Sequence, residues 1–339
     1  MKEWLLLLAA FIVSAILCWR FSSPGSTFHV LDHPGERSLH SRATPRSGGV
    51  AIVVSLLLGW GAAAGLGSVS LSDNLLWLSA GVLLLAVVGA IDDRVDLSPL
   101  MRLMVQLLAA FFLVAAGLVP EELRLPGMTI LLPCPLMWLL TVLYVLWMTN
   151  LYNFMDGMDG FAGGMAVAGF GLLAWLGWQA GDEGFMLMAL MIASASAGFL
   201  LFNFPPARIF MGDAGAPALG FLAAALSLWA DRQALFPLWV SILIFSPFIV
   251  DASYTLLRRL LAGRKVWQAH REHIYQRLVQ TGWSHRRTVL WSYALMLGVG
   301  VSAVMALNRN PAVQWTVLGI WSVVYIAIIL WVSLREQRN

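Results

Sequence analysis

The chain has 339 residues, 60% of them hydrophobic and 12% charged, with a formal net charge of +3. Soluble domains carry about 25% charged residues, so a water-soluble core with linkers is excluded, and no nucleic-acid partner is expected. Cys18 and Cys134 lie in or beside apolar runs on opposite sides of the predicted bundle, without metal-ligand spacing, so no disulfide is expected.

Apolar runs near the ~20 residues needed to span a bilayer occur at about 4–20, 48–66, 75–91, 101–119, 135–151, 163–179, 185–203, 214–230, 234–257, 289–307 and 314–334. They predict an all-α polytopic membrane protein: a bundle of about eleven transmembrane helices forming one integral-membrane domain over 1–339, without internal repeats. Trp4–Trp19 behind Lys2 has the look of a signal sequence. Leu17 is too large for lipoprotein-type cleavage before Cys18, however, and no small-x-small site follows, so it reads as an uncleaved first span. The weakest break, before 234–257, is marked only by Asp231 and Arg232.

With the N-terminus outside and the C-terminus inside, only Lys2, Arg124, Arg232 and Arg309 of the 21 Lys and Arg fall in outward positions, and all six histidines face inward. The positive-inside rule makes that side the cytoplasm. The outward acids Glu121, Glu122, Asp182 and Glu183 read as solvated caps. The unusual residues sit inward, so the chemistry is expected there.

Five inward stretches stand out. In Pro45-Arg46-Ser47-Gly48-Gly49 a cation and a glycine pair precede the second helix, which suits an anionic ligand; a plain basic loop would read the same way. In Asp92-Asp93-Arg94-Val95-Asp96, Asp92 and Asp96 share a helical face. Three carboxylates so close repel unless a cation sits among them, and magnesium bound through carboxylates and substrate phosphates fits. The bland alternative is a turn neutralised by Arg94 and Arg102.

The third stretch, Asn150 to Gly164, reads NLYNFMDGMDGFAGG. Asn150, Asn153, Asp156 and Asp159 recur every third residue, a stripe on a helical path, with glycines beside it for close approach. Such groups near a bilayer usually hold a metal, relay a proton or bind a substrate, although a polar turn between spans is the plain reading. In the fourth, Met211-Gly212-Asp213-Ala214-Gly215, Asp213 is either an N-cap or a metal ligand. The fifth is the basic loop Arg258 to Thr288, in which His270, His273 and Arg277 are spaced to share one face of a short helix. It suits a phosphate-rich ligand or an anionic lipid surface, and zinc lacks a third soft ligand. Asp251, near the inward end of its span, either pairs with Arg258 or Arg259 or joins the site.

This ordered set resembles the polyprenyl-phosphate N-acetylhexosamine-1-phosphate transferases, the family of phospho-MurNAc-pentapeptide translocase and the O-antigen-initiating GlcNAc-1-phosphate transferase. The likeness runs from DHPGERSLHSRATPRSGG through DDRVD, NLYNFMDGMDG and MGDAGA to HREHIYQRL, about residues 30–280. It implies a magnesium site, with manganese as an admissible substitute, facing the cytoplasm of a bacterial inner membrane. Asp92, Asp93, Asp156, Asp159 and His273 would be catalytic. Arg46, Asn150, Asn153, His270, Arg271 and Arg277 would bind substrate, and Asp213, Asp93 and Asp159 would hold the metal.

The family usually shows HxHH, of which His273 matches the first histidine; this chain has Tyr275 and Gln276 in place of the later two, a departure that looks like the subgroup initiating O-antigen or capsule chains. Ala216 replaces a frequent serine. The implied reaction moves a sugar 1-phosphate from a UDP-N-acetylhexosamine (GlcNAc, FucNAc or QuiNAc type) to undecaprenyl phosphate with release of UMP; a homodimer is compatible with it. The competing classes are a membrane prenyltransferase, which needs neither the MGDAG motif nor the histidine loop, and a transporter, which would carry its charges near the bilayer midplane.

Overall fold

The computed structural model describes residues 2–26, 28–33, 42–70, 72–265 and 270–337. Residues 34–41 of the first basic loop, with His40, lie outside that set, as does Arg338. The described residues form thirteen helices and two short antiparallel strand pairs. In chain order these are α1 (Lys2–Phe21), β1 (Leu31–Asp32), β2 (Thr44–Pro45), α2 (Gly48–Gly65), α3 (Asp73–Val95) and α4 (Pro99–Ala115). Next come β3 (Leu123–Leu125), β4 (Met128–Ile130), α5 (Cys134–Phe154), α6 (Phe161–Gln179), α7 (Glu183–Asn203) and α8 (Ala216–Arg232). The chain closes with α9 (Leu238–Ile244), α10 (Ser246–Leu261), α11 (Ile274–Gln280), α12 (His285–Leu307) and α13 (Pro311–Glu336).

The helix starts follow local chemistry. Side-chain oxygens of Ser72, Ser98, Asp182, Ser284 and Asn310 accept a backbone N–H of the first turn of α3, α4, α7, α12 and α13. Each satisfies one orphan donor of a helix end. Proline opens α4 and α13, where its missing N–H costs nothing. Asp182 is thus the cap the sequence suggested.

All eleven apolar runs coincide with helices, but the count of spans changes. By length and composition, eight helices among the described residues can cross a membrane: α1, α2, α3, α5, α6, α7, α12 and α13. The run expected as one span over 234–257 divides into α9 and α10, bent by 77°, and gives a ninth if counted as one. Pro247, in the first turn of α10, has no N–H to continue the ladder. α4 and α8 stop at 17 residues each.

α8 sits at the centre. Nearly every residue from Ala216 to Ala230 is buried, as expected of a helix apolar all round. Its small residues let α5 lie against it: a methyl on Gly220 would stand 2.3 Å from the Met148 carbonyl oxygen. The outer faces expose Leu58, Leu83, Leu139, Trp291 and Val323, a surface suited to hydrocarbon rather than water. The chain is a multi-pass membrane protein.

At one end of α8 a hairpin pairs Leu123 with Ile130 across Pro126-Gly127, with Gly127 at the positive φ of 72° that such a turn demands. Arg124 in the hairpin meets Asp231 at 3.0 Å, and Arg232 meets Glu121 at 2.9 Å. The two charges that alone marked the break in the sequence therefore fasten α8 to this hairpin. Cys18 and Cys134 are both free.

Candidate active site

Opposite the hairpin, at the other end of α8, four stretches of chain meet. α3 arrives with Asp92 and Asp93, both buried, and the loop before α8 brings Asp213. They can touch because Gly89 has no side chain: a methyl there would lie 2.0 Å from the Asp213 carbonyl oxygen. The Asp213 N–H donates to Asp93 Oδ1 at 3.2 Å. The Arg46 guanidinium completes the corner, with Nε 3.3 Å from Asp93 Oδ1 and Nη2 donating to the Asp93 carbonyl.

The glycines of the first motif do more than loosen a loop. Gly48 N–H donates to Phe210 O at 2.9 Å and Gly49 N–H to Met211 O at 2.8 Å, while Phe210 N–H returns to Pro45 O at 2.6 Å. This strap holds the Arg46 segment against the Asp213 loop.

The Asn150 stretch departs from a continuous helical stripe, because α5 ends at Phe154 and the remainder is a turn. Asn150 and Asn153 stay on the helix, and Asp156 and Asp159 lie beyond it. Asn150 exchanges hydrogen bonds with Gln106 of α4, Nδ2 to Oε1 at 2.7 Å and Nε2 back to Oδ1 at 3.3 Å, so it clamps α4 to α5. Asn153 lines the same cleft as Asp213, and both Asn153 beside Asp213 and the Gly212 backbone beside Asp156 favour the ionised carboxylates. Asp159 faces elsewhere: its Oδ2 accepts the Ala207 N–H at 3.0 Å and lies 3.6 Å from His285 Nδ1. Asp159 is thus engaged away from the Asp93–Asp213 corner, whereas Asp156 feels the charges of both.

Asp92, Asp93, Asp156 and Asp213 thus form one acidic group. Burial, and then the charges of Asp213 and Asp93, pushes the Asp156 carboxyl well above the usual range. Burial, and then Asp92, pushes Asp213 the same way, against the pull of Arg102 and Arg46. Arg102 spans Asp92 at 2.7 Å and Asp96 at 3.0 Å. Asp96 ends α3 with φ 53° and is 97% exposed, so it belongs to the solvated turn.

Four carboxylates thus face the two guanidiniums of Arg46 and Arg102. Among the described residues, no three His, Cys, Asp or Glu side chains converge to cage a metal ion. Magnesium nevertheless fits the donor set. It takes hard oxygens, commonly one or two carboxylates, and completes its shell with water and substrate phosphates. The cleft beside Asp92, Asp213, Asn153, Gln106 and Arg102 offers such a place.

The basic loop is arranged differently from the expected histidine face. Helix α11 begins only at Ile274, because Asp251 caps it: Oδ1 accepts the Ile274 N–H at 2.8 Å and Oδ2 the Tyr275 N–H at 3.1 Å. His270 and Arg271 precede the helix and share no face with Arg277. His273, 3% exposed, sets Nδ1 3.2 Å from Asp251 Oδ1 and stacks near Phe154. The Tyr275 hydroxyl donates to Phe154 O at 3.2 Å, which docks α11 on the turn carrying Asp156.

Glu272 gathers Arg258 and Arg264, each at 2.9 Å, and Arg259. Asp251 is therefore neither their partner nor a loose site residue. Arg277, expected to bind substrate, is 2% exposed and committed to Glu336 and Ser333 of α13. His270 is driven down to about 4, chiefly by burial and then by His273 and Arg259, so at neutral pH it brings no positive charge. Arg271 is exposed.

Two residues passed over in the sequence hold this end together. Asn203, buried, accepts the Gly160 N–H at 2.9 Å and donates to Ile209 O at 2.9 Å, tying the turn after Asp156 to the loop before Asp213. Tyr293 donates to Gly160 O at 2.5 Å and fills the space a side chain on Gly164 would need. The signal for Gln106 was present: a lone carboxamide inside an apolar helix is seldom idle. Asn203, at the end of a span, resembled any polar terminus.

The architecture is that of a helical membrane protein with a largely buried acidic group at one end of its central helix. Residues 75–231 match glycosyl transferase family 4. The probable undecaprenyl-phosphate N-acetylglucosaminyl 1-phosphate transferase of Bacillus subtilis is 30% identical over 88% of this chain and 81% of its own length. The decaprenyl-phosphate N-acetylglucosaminephosphotransferase of Mycolicibacterium smegmatis is 33% identical over 91% and 83%. The undecaprenyl-phosphate alpha-N-acetylglucosaminyl 1-phosphate transferase of Salmonella typhi is 26% identical over 88% and 83%. The chain belongs to glycosyl transferase family 4.

Proposed function

We propose that this protein transfers an N-acetylhexosamine 1-phosphate from its UDP conjugate to undecaprenyl phosphate, releasing UMP, at the cytoplasmic face of a bacterial inner membrane, and so begins a lipid-linked polysaccharide of the O-antigen kind. The observation that carries the reading is the group of buried Asp92 and Asp93 with part-buried Asp156 and Asp213, opposed among the described residues by Arg46 and Arg102. Its excess of negative charge suits a divalent cation together with a pyrophosphate.

In the reaction, an oxygen of the lipid phosphate attacks the phosphorus bearing the sugar, and the bond to the UMP oxygen breaks. Positioning and charge neutralisation make up most of such catalysis. Magnesium, when bound by Asp213 with Asp93 or Asp156, would supply neutralisation of the pyrophosphate oxygens. Both oxygens of Asp92 already have partners, the Leu97 N–H at 2.7 Å and Arg102 at 2.7 Å, which fits an orienting role. A phosphate monoester is mostly dianionic at pH 7, its second pKa being ~6, so it needs little help from a base. Direct displacement is favoured over a phospho-aspartyl intermediate for the same reason. Arg46, half-exposed beside Asp93, is placed to meet a phosphate.

The test uses membranes carrying the protein, undecaprenyl phosphate, magnesium and a panel of UDP-N-acetylhexosamines, with UMP release and label in lipid followed together. Equal label and UMP, abolished by EDTA and by Asp213→Ala, is the expected result and names the sugar. No turnover with any donor from folded protein would return the chain to the prenyltransferase or transporter classes.

A further inference from the structure

Away from the acidic group, a groove of about 710 Å³ runs between α10, α11, α12 and α13. Its polar groups are already engaged. The hydroxyls of Tyr325 and Ser246 lie 2.6 Å apart, Ser292 donates to Thr288 O, and Tyr275 donates to Phe154 O. Its walls, among them Leu295 and Ile328, therefore present hydrocarbon.

The mouth is different. Trp283 and Trp331 meet edge to face with centroids 5.7 Å apart. The Arg287 guanidinium lies 4.0 Å from the Trp283 ring centre, and Arg335 lies 5.9 Å from Trp283 and 5.7 Å from Trp331. Among the described residues neither arginine has a carboxylate partner, since the adjacent Glu336 is taken by Arg277. Two guanidiniums without a carboxylate, beside a tryptophan pair at the end of an apolar trough, match an anion and the tail it would carry.

We infer that the groove holds one bilayer phospholipid with an anionic headgroup, its phosphate on Arg287 and Arg335 beside the tryptophan pair and an acyl chain along α12 and α13. Paired tryptophans and arginines are the residues that meet headgroups at membrane interfaces. A zwitterionic headgroup would bring its own cation to two arginines that have none to spare. The acceptor lipid of the proposed reaction is a different occupant: α11 stands between the groove and the acidic group, its Tyr275 lining the one and contacting the turn before Asp156. The site stands whether or not the transferase reading holds.

The test is native mass spectrometry of the full-length protein, delipidated in detergent and titrated with phosphatidylglycerol, phosphatidylcholine of the same chains, or undecaprenyl phosphate. One phosphatidylglycerol per chain is expected, retained in preference to phosphatidylcholine. Arg287→Gln and Arg335→Gln should each weaken retention about fivefold. Ala294→Trp, which fills the groove and leaves the arginines in place, should abolish it, and Arg309→Gln on another face of the bundle should change nothing. Thermal unfolding of each variant separates lost lipid from a lost fold. Equal retention of phosphatidylcholine, preferential loading of undecaprenyl phosphate, or phosphatidylglycerol binding indifferent to both the arginine changes and Ala294→Trp overturns the inference.

Discussion

Two charged regions lie near the same end of this bundle, and they are built on opposite terms. Around α11 each described acid is matched: Glu272 gathers three arginines, Asp251 caps a helix and holds His273, and Glu336 takes Arg277. Around the end of α8, four carboxylates crowd together with two guanidiniums. A matched network fixes shape, because breaking a buried pair leaves an uncompensated charge. An unmatched one spends stability and is kept where charge must be received. Proximity to a motif does not decide which residues act; the balance of charge around them does.

The contrast can be broken by substitution. The largest expected effect is on turnover at the acidic end. Asp156→Asn should lower sugar-phosphate transfer about 10²- to 10³-fold, the scale of losing one electrostatic group. The unfolding temperature should hold or rise, since a crowded charge is removed. A fall in both activity and stability would place Asp156 with the structural acids.

The matched region should respond the other way. Arg277→Met leaves Glu336 half-exposed and able to find water, whereas Glu336→Gln leaves a buried guanidinium. The second change is expected to cost about 3 kcal/mol and the first less, with transfer per folded molecule unchanged in both. Thermal unfolding and the lipid-label assay read the two quantities separately. Loss of transfer in a stable Glu336→Gln protein would return Arg277 to the substrate site.

The smallest effect concerns His270. Its pKa falls from 6.5 to about 4 on folding, by burial and then by His273 and Arg259, with Arg258 acting the same way and Glu272 against. A depressed folded value means that its contribution to stability is complete above pH 6.5 and is lost as pH falls toward about 4. His270→Gln should flatten the unfolding temperature over that window and leave pH 8 unchanged. An unaltered acid limb would show His270 to be solvated.

Much of the fold was legible because lipid enforces it: runs that must bury their own backbone groups can be read from hydropathy alone. The break at Phe245 was not, since Pro247 sits inside an apolar stretch that hydropathy treats as continuous. In the site, the motifs named Asp92, Asp93, Asp156 and Asp213, which the fold brings to one end of α8. The stripe expected through Asp159 and the face expected to join His270 and His273 to Arg277 do not form, because the first helix ends at Phe154 and the second begins only at Ile274. Partners distant in sequence, such as Gln106 for Asn150 or Glu336 for Arg277, leave no local trace.

Asn203 has a consequence for anyone recombining this enzyme with its relatives. One carboxamide joins two segments that the sequence keeps over forty residues apart, so they are heritable only as a set. A chimera with its junction between residues 165 and 200 separates the donor of one turn from the anchor of the other. Such a chimera would draw the two turns from different parents, whereas junctions before 150 or after 216 would keep both Asn203 links within one parent.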